Sequence, residues 1–197
     1  MRFFNAIIFS NIWISLGAIG TTIAFYRFIN SDINFYYLIL VFFATLFAYN
    51  FQYISKQTLN KDRQKQSSWI SSNLSLIKIV TIVSFFVCVF LSLFIFTIQV
   101  LLVSLPVFLL VLFYKKGTLN KFSLRNIPLV KIIIIAFCWM CSCSILPGLI
   151  SNELFSIEMS FYIFSYIIAI TLPFDIRDYH FDNKAIITIP LFLGAKA

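Results

Sequence analysis

The chain has 197 residues, 61% of them hydrophobic and 11% charged, with a formal net charge of +8. A soluble domain holds about 45–50% apolar and about 25% charged residues, and a domain this small cannot hide such an excess in one core. A soluble globular fold, a disordered chain and a nucleic-acid-binding domain are therefore poor readings; the basic balance is read instead as Lys and Arg gathered in the loops of an integral membrane protein.

A membrane-spanning helix needs about 20 mostly apolar residues. The first apolar run, Phe3 to Phe28, is expected to be a retained span. It carries only a weak small-x-small site at Ala18-Ile19-Gly20 and continues well past it, unlike a cleaved signal peptide. The second run is Asn34 to Ile54, followed by a polar loop from Lys56 to Asn73. From Leu74 to Phe113 the chain is apolar for twice the length of one span, and Thr97-Ile98-Gln99 is its only polar break. A tight hairpin there predicts two helices, about 74–95 and 99–114. A second basic loop, Lys115 to Asn126, precedes Pro128, which suits the first turn of a fifth helix reaching about Ile150. A sixth span is predicted from about Ile157 to Pro173, followed by a polar segment from Asp175 to Lys184. The apolar remainder, Ile186 to Ala197, is too short to cross. The expected fold is thus all-α, one polytopic transmembrane helix bundle over residues 1–197, with six spans and the start of a seventh.

Cys138, Cys141 and Cys143 form C-x-x-C-x-C inside the fifth span, and Cys88 sits in the third. No His or acid stands beside them to complete a metal site, and disulfide frameworks belong to small secreted domains. Packing between helices is the expected role. With six spans, fourteen of the fifteen Lys and Arg fall on one side, if Lys78 and Lys131 snorkel back to it; only Arg27 falls on the other. That side is expected to be cytoplasmic and to hold the N-terminus.

On this basic face stands its most acidic spot. Asp175, Asp178 and Asp182 are spaced i, i+3, i+7 in DIRDYHFDNK, and if the sixth helix continues they share one face. Spacing alone leaves two readings open. One is a polar loop with its own ion pairs, including His180 as a partner. The other is a Mg²⁺ site, because this ion takes a few carboxylates together with substrate phosphates. The location favours the second, since the positive-inside pattern does not account for acids there. In the second span Asn50 and Gln52 are polar near the cytoplasmic end; such amides either bond a neighbouring helix or mark a site.

The segment Asp175 to Pro190 resembles the second aspartate-rich motif of the UbiA superfamily of intramembrane prenyltransferases, with three Asp at this spacing and a following Thr188-Ile189-Pro190. Asn50 falls where the family's first motif begins. The two basic loops and the phrase SLRNIPLVKI, Ser123 to Ile132, resemble the family's cytoplasmic caps and its approach to the fifth helix. The resemblance implies a Mg²⁺-dependent transfer of a prenyl group from a prenyl diphosphate to an acceptor, often an aromatic ring. It implies Asp175, Asp178 and Asp182 as metal ligands and Asn50 as an auxiliary ligand or diphosphate contact. Arg177, Lys116, Lys121 and Arg125 would neutralise the leaving diphosphate. Two departures stand against turnover. Four and eight residues after Asn50, where the family has Asp, stand Ile54 and Thr58. The family's further helices are also missing, so a fragment or a shortened relative is expected. A non-catalytic relative that binds a lipid or a partner protein is the first alternative, and a small transporter with an acidic cytoplasmic mouth the second.

Overall fold

The computed structural model describes residues 2–54, 69, 72–95, 97–113, 130–151 and 156–178. Among them there is no strand. The runs rich in Ile, Val and Phe would favour strands in water, but in hydrocarbon every backbone N–H and C=O needs a partner within its own segment, and a helix provides it.

The helices are α1 (Arg2–Phe9), α2 (Ile12–Phe28), α3 (Phe35–Ile54), α4 (Leu74–Ile95), α5 (Ile98–Phe113), α6 (Val130–Met140), α7 (Leu146–Ile150) and α8 (Ile157–Asp178), with a π-helical turn at Cys141–Ile145 joining α6 to α7. Phe35–Gln52, Leu74–Ile95 and Val130–Ile150 are long and apolar enough to cross a bilayer; Ile12–Phe28, Ile98–Leu112 and Ile157–Pro173 are shorter apolar helices.

Polar residues at the run boundaries set the helix starts. Asn34 caps α3 by accepting the Tyr37 N–H on its Oδ1 at 3.1 Å. Thr97 caps α5 through the Val100 N–H, and Ser156 caps α8 through the Met159 N–H. Each side chain supplies an acceptor to the third helical N–H, one of the four that a helix start leaves open. At the other end of α2, Asn30 takes φ 53°, its N–H bonds Arg27 O, and the Ser31 N–H reaches back to Tyr26 O. That is the Schellman pattern, with Asn in the left-handed position.

The helix break expected at 97–99 is present, and the helix that follows it starts one residue earlier than predicted. The single first span is not. The run from Phe3 to Phe28 is broken at Ser10–Asn11, where Asn11 takes φ 65° and ends α1 as α2 begins. Asn is among the few residues that reach this conformation cheaply, because its short amide bonds locally. The fifth helix also departs from a plain span, through its π turn. The sixth helix extends through Pro173 to Asp178.

Helix α2 is the hub: it packs on α1, α3, the π turn, α7 and α8. Its contact face is small and polar, with Ser15, Ala18 and Thr22 buried. Thr22 Oγ1 donates back to Ala18 O at 2.8 Å, and Cys143 Sγ lies 3.8 Å from the same carbonyl. Close approach through small residues is the means by which helices associate in lipid. Leucine at Ala18 should therefore push α2 off the π turn and cost about 1–2 kcal/mol. The check is the midpoint of detergent-induced unfolding, with Gly20→Leu as control, since nothing lies within 4 Å of a side chain begun there. A control that falls as far as the Ala18 variant would contradict the packing account.

Candidate functional site

Two regions compete as the functional site: the acids at the C-terminal end of α8 and a cleft between helices. Asp175, Arg177 and Asp178 stand in the last turns of α8. Positions 175 and 178 are three apart on a continuous helix and so nearly superpose along its axis. Asp182, His180, Lys116, Lys121 and Arg125 lie outside the described residues, as does Thr58. Among the described residues no group of three metal-ligating side chains is assembled.

Asn50 is placed in full. It is 1% exposed, and its Oδ1 accepts a hydrogen bond of 2.8 Å from Asn11 Nδ2. Its own Nδ2 is buried without a hydrogen-bond partner among the described residues. The amide thus binds the break between α1 and α2, which is the helix-linking role that amides in spans commonly take.

Gln52, two residues on, faces elsewhere. It lines a cavity of about 440 Å³ whose walls are α3, α4, α5 and the α6–π–α7 unit. Neither Asn50 nor any residue of α8 up to Pro173 lines this cleft. Its walls are mostly aliphatic and aromatic, and among the described residues no charged one lines it. Two hydrogen bonds hold its back wall, where α3 faces α6. Tyr37 donates its hydroxyl to the carbonyl of Ser142 in the π turn, and Trp139 Nε1 donates to Tyr49 Oη at 3.4 Å. Phe47 sets a ring 5.6 Å from Phe85 of α4 and 6.3 Å from Phe108 of α5, and all three line the cleft.

The π turn explains the first of these bonds. In it the Leu146 N–H bonds Cys141 O, five residues back. The next residue is Pro147, which has no N–H to offer Ser142 O in the same pattern. The freed carbonyl is directed at the cleft and taken by Tyr37. Cys141 and Cys143 are buried in this turn, and Ser144 Oγ meets Ser160 Oγ of α8 at 2.7 Å. All four cysteines are free thiols, and Cys88 Sγ lies 3.9 Å from Leu40 O. Cys141 and Cys143 are packed between helices, and Cys88, Cys138 and Cys143 line the cleft.

The cleft was not anticipated from the sequence, yet a signal for it exists. Tyr37, Thr45, Tyr49 and Gln52 recur at multiples of one helical turn along α3, a polar-tipped stripe on an otherwise apolar helix. Asn50 sits about 100° away from Tyr49 on the same helix, which is why it turns to α1 and α2 instead.

Compared with known proteins, the chain matches no family model, no curated protein and no solved structure.

Proposed function

We propose that this is a six-span membrane protein, with its N-terminus and basic loops on the cytoplasmic side, which binds a prenyl diphosphate through Mg²⁺ in the manner of the UbiA-like prenyltransferases it resembles in sequence. The observation that supports the reading is the course of α8. The helix continues past Pro173 to Asp178, so the first two acids of the motif keep helical register and stand one turn apart. In this reading Asp175, Asp178 and Asp182 hold the metal, which neutralises the diphosphate and promotes its departure. Arg177, Lys116, Lys121 and Arg125 add positive charge around the leaving anion.

A second reading is a non-catalytic relative that binds a lipid. It is favoured by Ile54, which ends α3 where the family's first motif has an acid. Binding of a radiolabelled prenyl diphosphate to the full chain in nanodiscs separates the two. We expect binding that needs Mg²⁺ and that Asp175→Ala and Asp178→Ala each weaken by at least about tenfold; losing even a group hydrogen-bonded to a metal ligand costs about 10–100-fold. Circular dichroism should show the helices intact. Binding that ignores both the metal and the two substitutions would overturn the prenyltransferase reading.

A further inference from the structure

Two unpartnered hydroxyls gather in the α3–α6 cleft. Many hydroxyls elsewhere in the helices return to their own backbone, although Ser84 Oγ and the Tyr26 hydroxyl are buried without a partner among the described residues. Thr21, Thr22, Thr81 and Thr171 each donate to the carbonyl four residues back. Thr45, in the middle of α3, makes no such bond, and neither does the side chain of Ser142; both line the cleft and have no hydrogen-bond partner among the described residues. An unmatched hydroxyl in an apolar setting is costly, so two of them on one cavity wall point to a polar group that comes from outside the chain.

The shape of the cleft limits what that visitor can be. Its lining on α3 runs from Tyr37 to Gln52, about 22 Å at 1.5 Å per residue. This suits one extended hydrocarbon chain lying along the helix. No charged residue among the described ones lines it, so an ionised headgroup would find no counter-charge on these walls. The front wall is the weak one. Helix α4 packs closely on α3 but barely touches α5, although the two are consecutive in the chain. The cleft-lining residues along this seam are exposed: Val89 43%, Leu101 48% and Leu105 57%. In a bilayer the seam faces lipid.

We propose that the cleft binds the chain of an uncharged lipid bearing a hydroxyl or carbonyl group, which enters sideways from the bilayer between α4 and α5 and bonds its oxygen to Thr45 and Ser142. The proposal does not use the aspartates of the metal reading and can fail or succeed without it.

Photolabelling of the full chain in nanodiscs tests it. The probes are a straight-chain C16 alcohol and a farnesol analogue, each carrying a diazirine, and a C16 fatty acid of the same design. Both alcohols are expected to label cleft positions on α4 and α5, such as Val89, Ser104 and Phe108; the stronger of the two names acyl or isoprenoid chemistry as the source. Labelling is expected to persist in EDTA, so that it can succeed or fail separately from Mg²⁺-dependent diphosphate binding. The ionised fatty acid should label at least about tenfold less. Thr45→Trp should fill the cleft and abolish the signal, and Thr45→Val, which keeps the shape, should lower it about fivefold through loss of one hydrogen bond. Labels spread evenly over the lipid-facing residues, or unchanged in both Thr45 variants, would overturn the proposal. So would crosslinks showing the cleft filled by the chain's own residues 179–197.

Discussion

Leucine in place of Asn11 should destabilise the bundle by about 2–3 kcal/mol, the largest loss expected from a single substitution here. Two separable causes add. The first is backbone: at φ 65° a leucine Cβ crowds the following carbonyl, at about 1–2 kcal/mol. The second is the amide link. Hydrogen bonds between helices in membranes average about 0.6 kcal/mol and reach about 1.7. This one is fully buried, and its loss would strand Asn50 Oδ1, while Asn50 Nδ2 has no partner among the described residues. Asn11→Gly separates the causes, since glycine accepts the left-handed backbone but cannot donate to Asn50. Steric-trap or detergent unfolding should place Asn11→Gly roughly midway between wild type and Asn11→Leu. If the glycine variant matches wild type, the amide link contributes nothing. If it matches leucine, the backbone contributes nothing.

The same asparagine shows what the sequence could and could not disclose. Runs of apolar residues near bilayer length located the helices well, because in lipid the backbone has few alternatives to a helix. The helix break at Thr97 was legible because one polar break in a run of two span lengths has a single economical use. The break at Asn11 was not, because composition gives no φ: Asn5 and Asn11 look equally tolerable in an apolar run, and nothing in the run shows that Asn11 meets an amide on α3. Asn50 was legible as a polar group needing a partner, but not as one facing α1 and α2, since the pairing depends on helix rotation. The π turn escaped for a similar reason. Cys-Ser-Cys-Ser before Pro147 reads as small packing residues, and nothing in that composition shows one extra residue in the turn. On α8, the spacing of Asp175 and Asp178 translated directly into helical register, because i and i+3 need only a continuous helix.

The π turn is the basis of a second large effect, one that depends on the sequence background. Tyr37→Phe should cost about 2 kcal/mol, since it leaves the Ser142 carbonyl facing an apolar cleft with no donor. The cost arises only because Pro147 has no N–H. Alanine at 147 restores a donor five residues beyond Ser142, in the same pattern by which Leu146 already reaches Cys141. With Pro147→Ala present, Tyr37→Phe should therefore lose most of its effect, leaving less than about 0.5 kcal/mol and a coupling energy above about 1 kcal/mol. Pro147→Ala alone should be close to neutral: the new N–H competes with Tyr37 for one carbonyl, and a carbonyl can accept both. The double-mutant cycle is read from unfolding midpoints in mixed micelles. Strictly additive losses would mean that Tyr37 acts through packing of its ring, and that the carbonyl released by the proline is not what ties α3 to the π turn. Because Tyr37 and Ser142 also form one end of the lipid cleft, Tyr37→Phe should loosen its back wall and weaken alcohol labelling, and Pro147→Ala should not restore that labelling, because it mends the π turn without rejoining α3 to it.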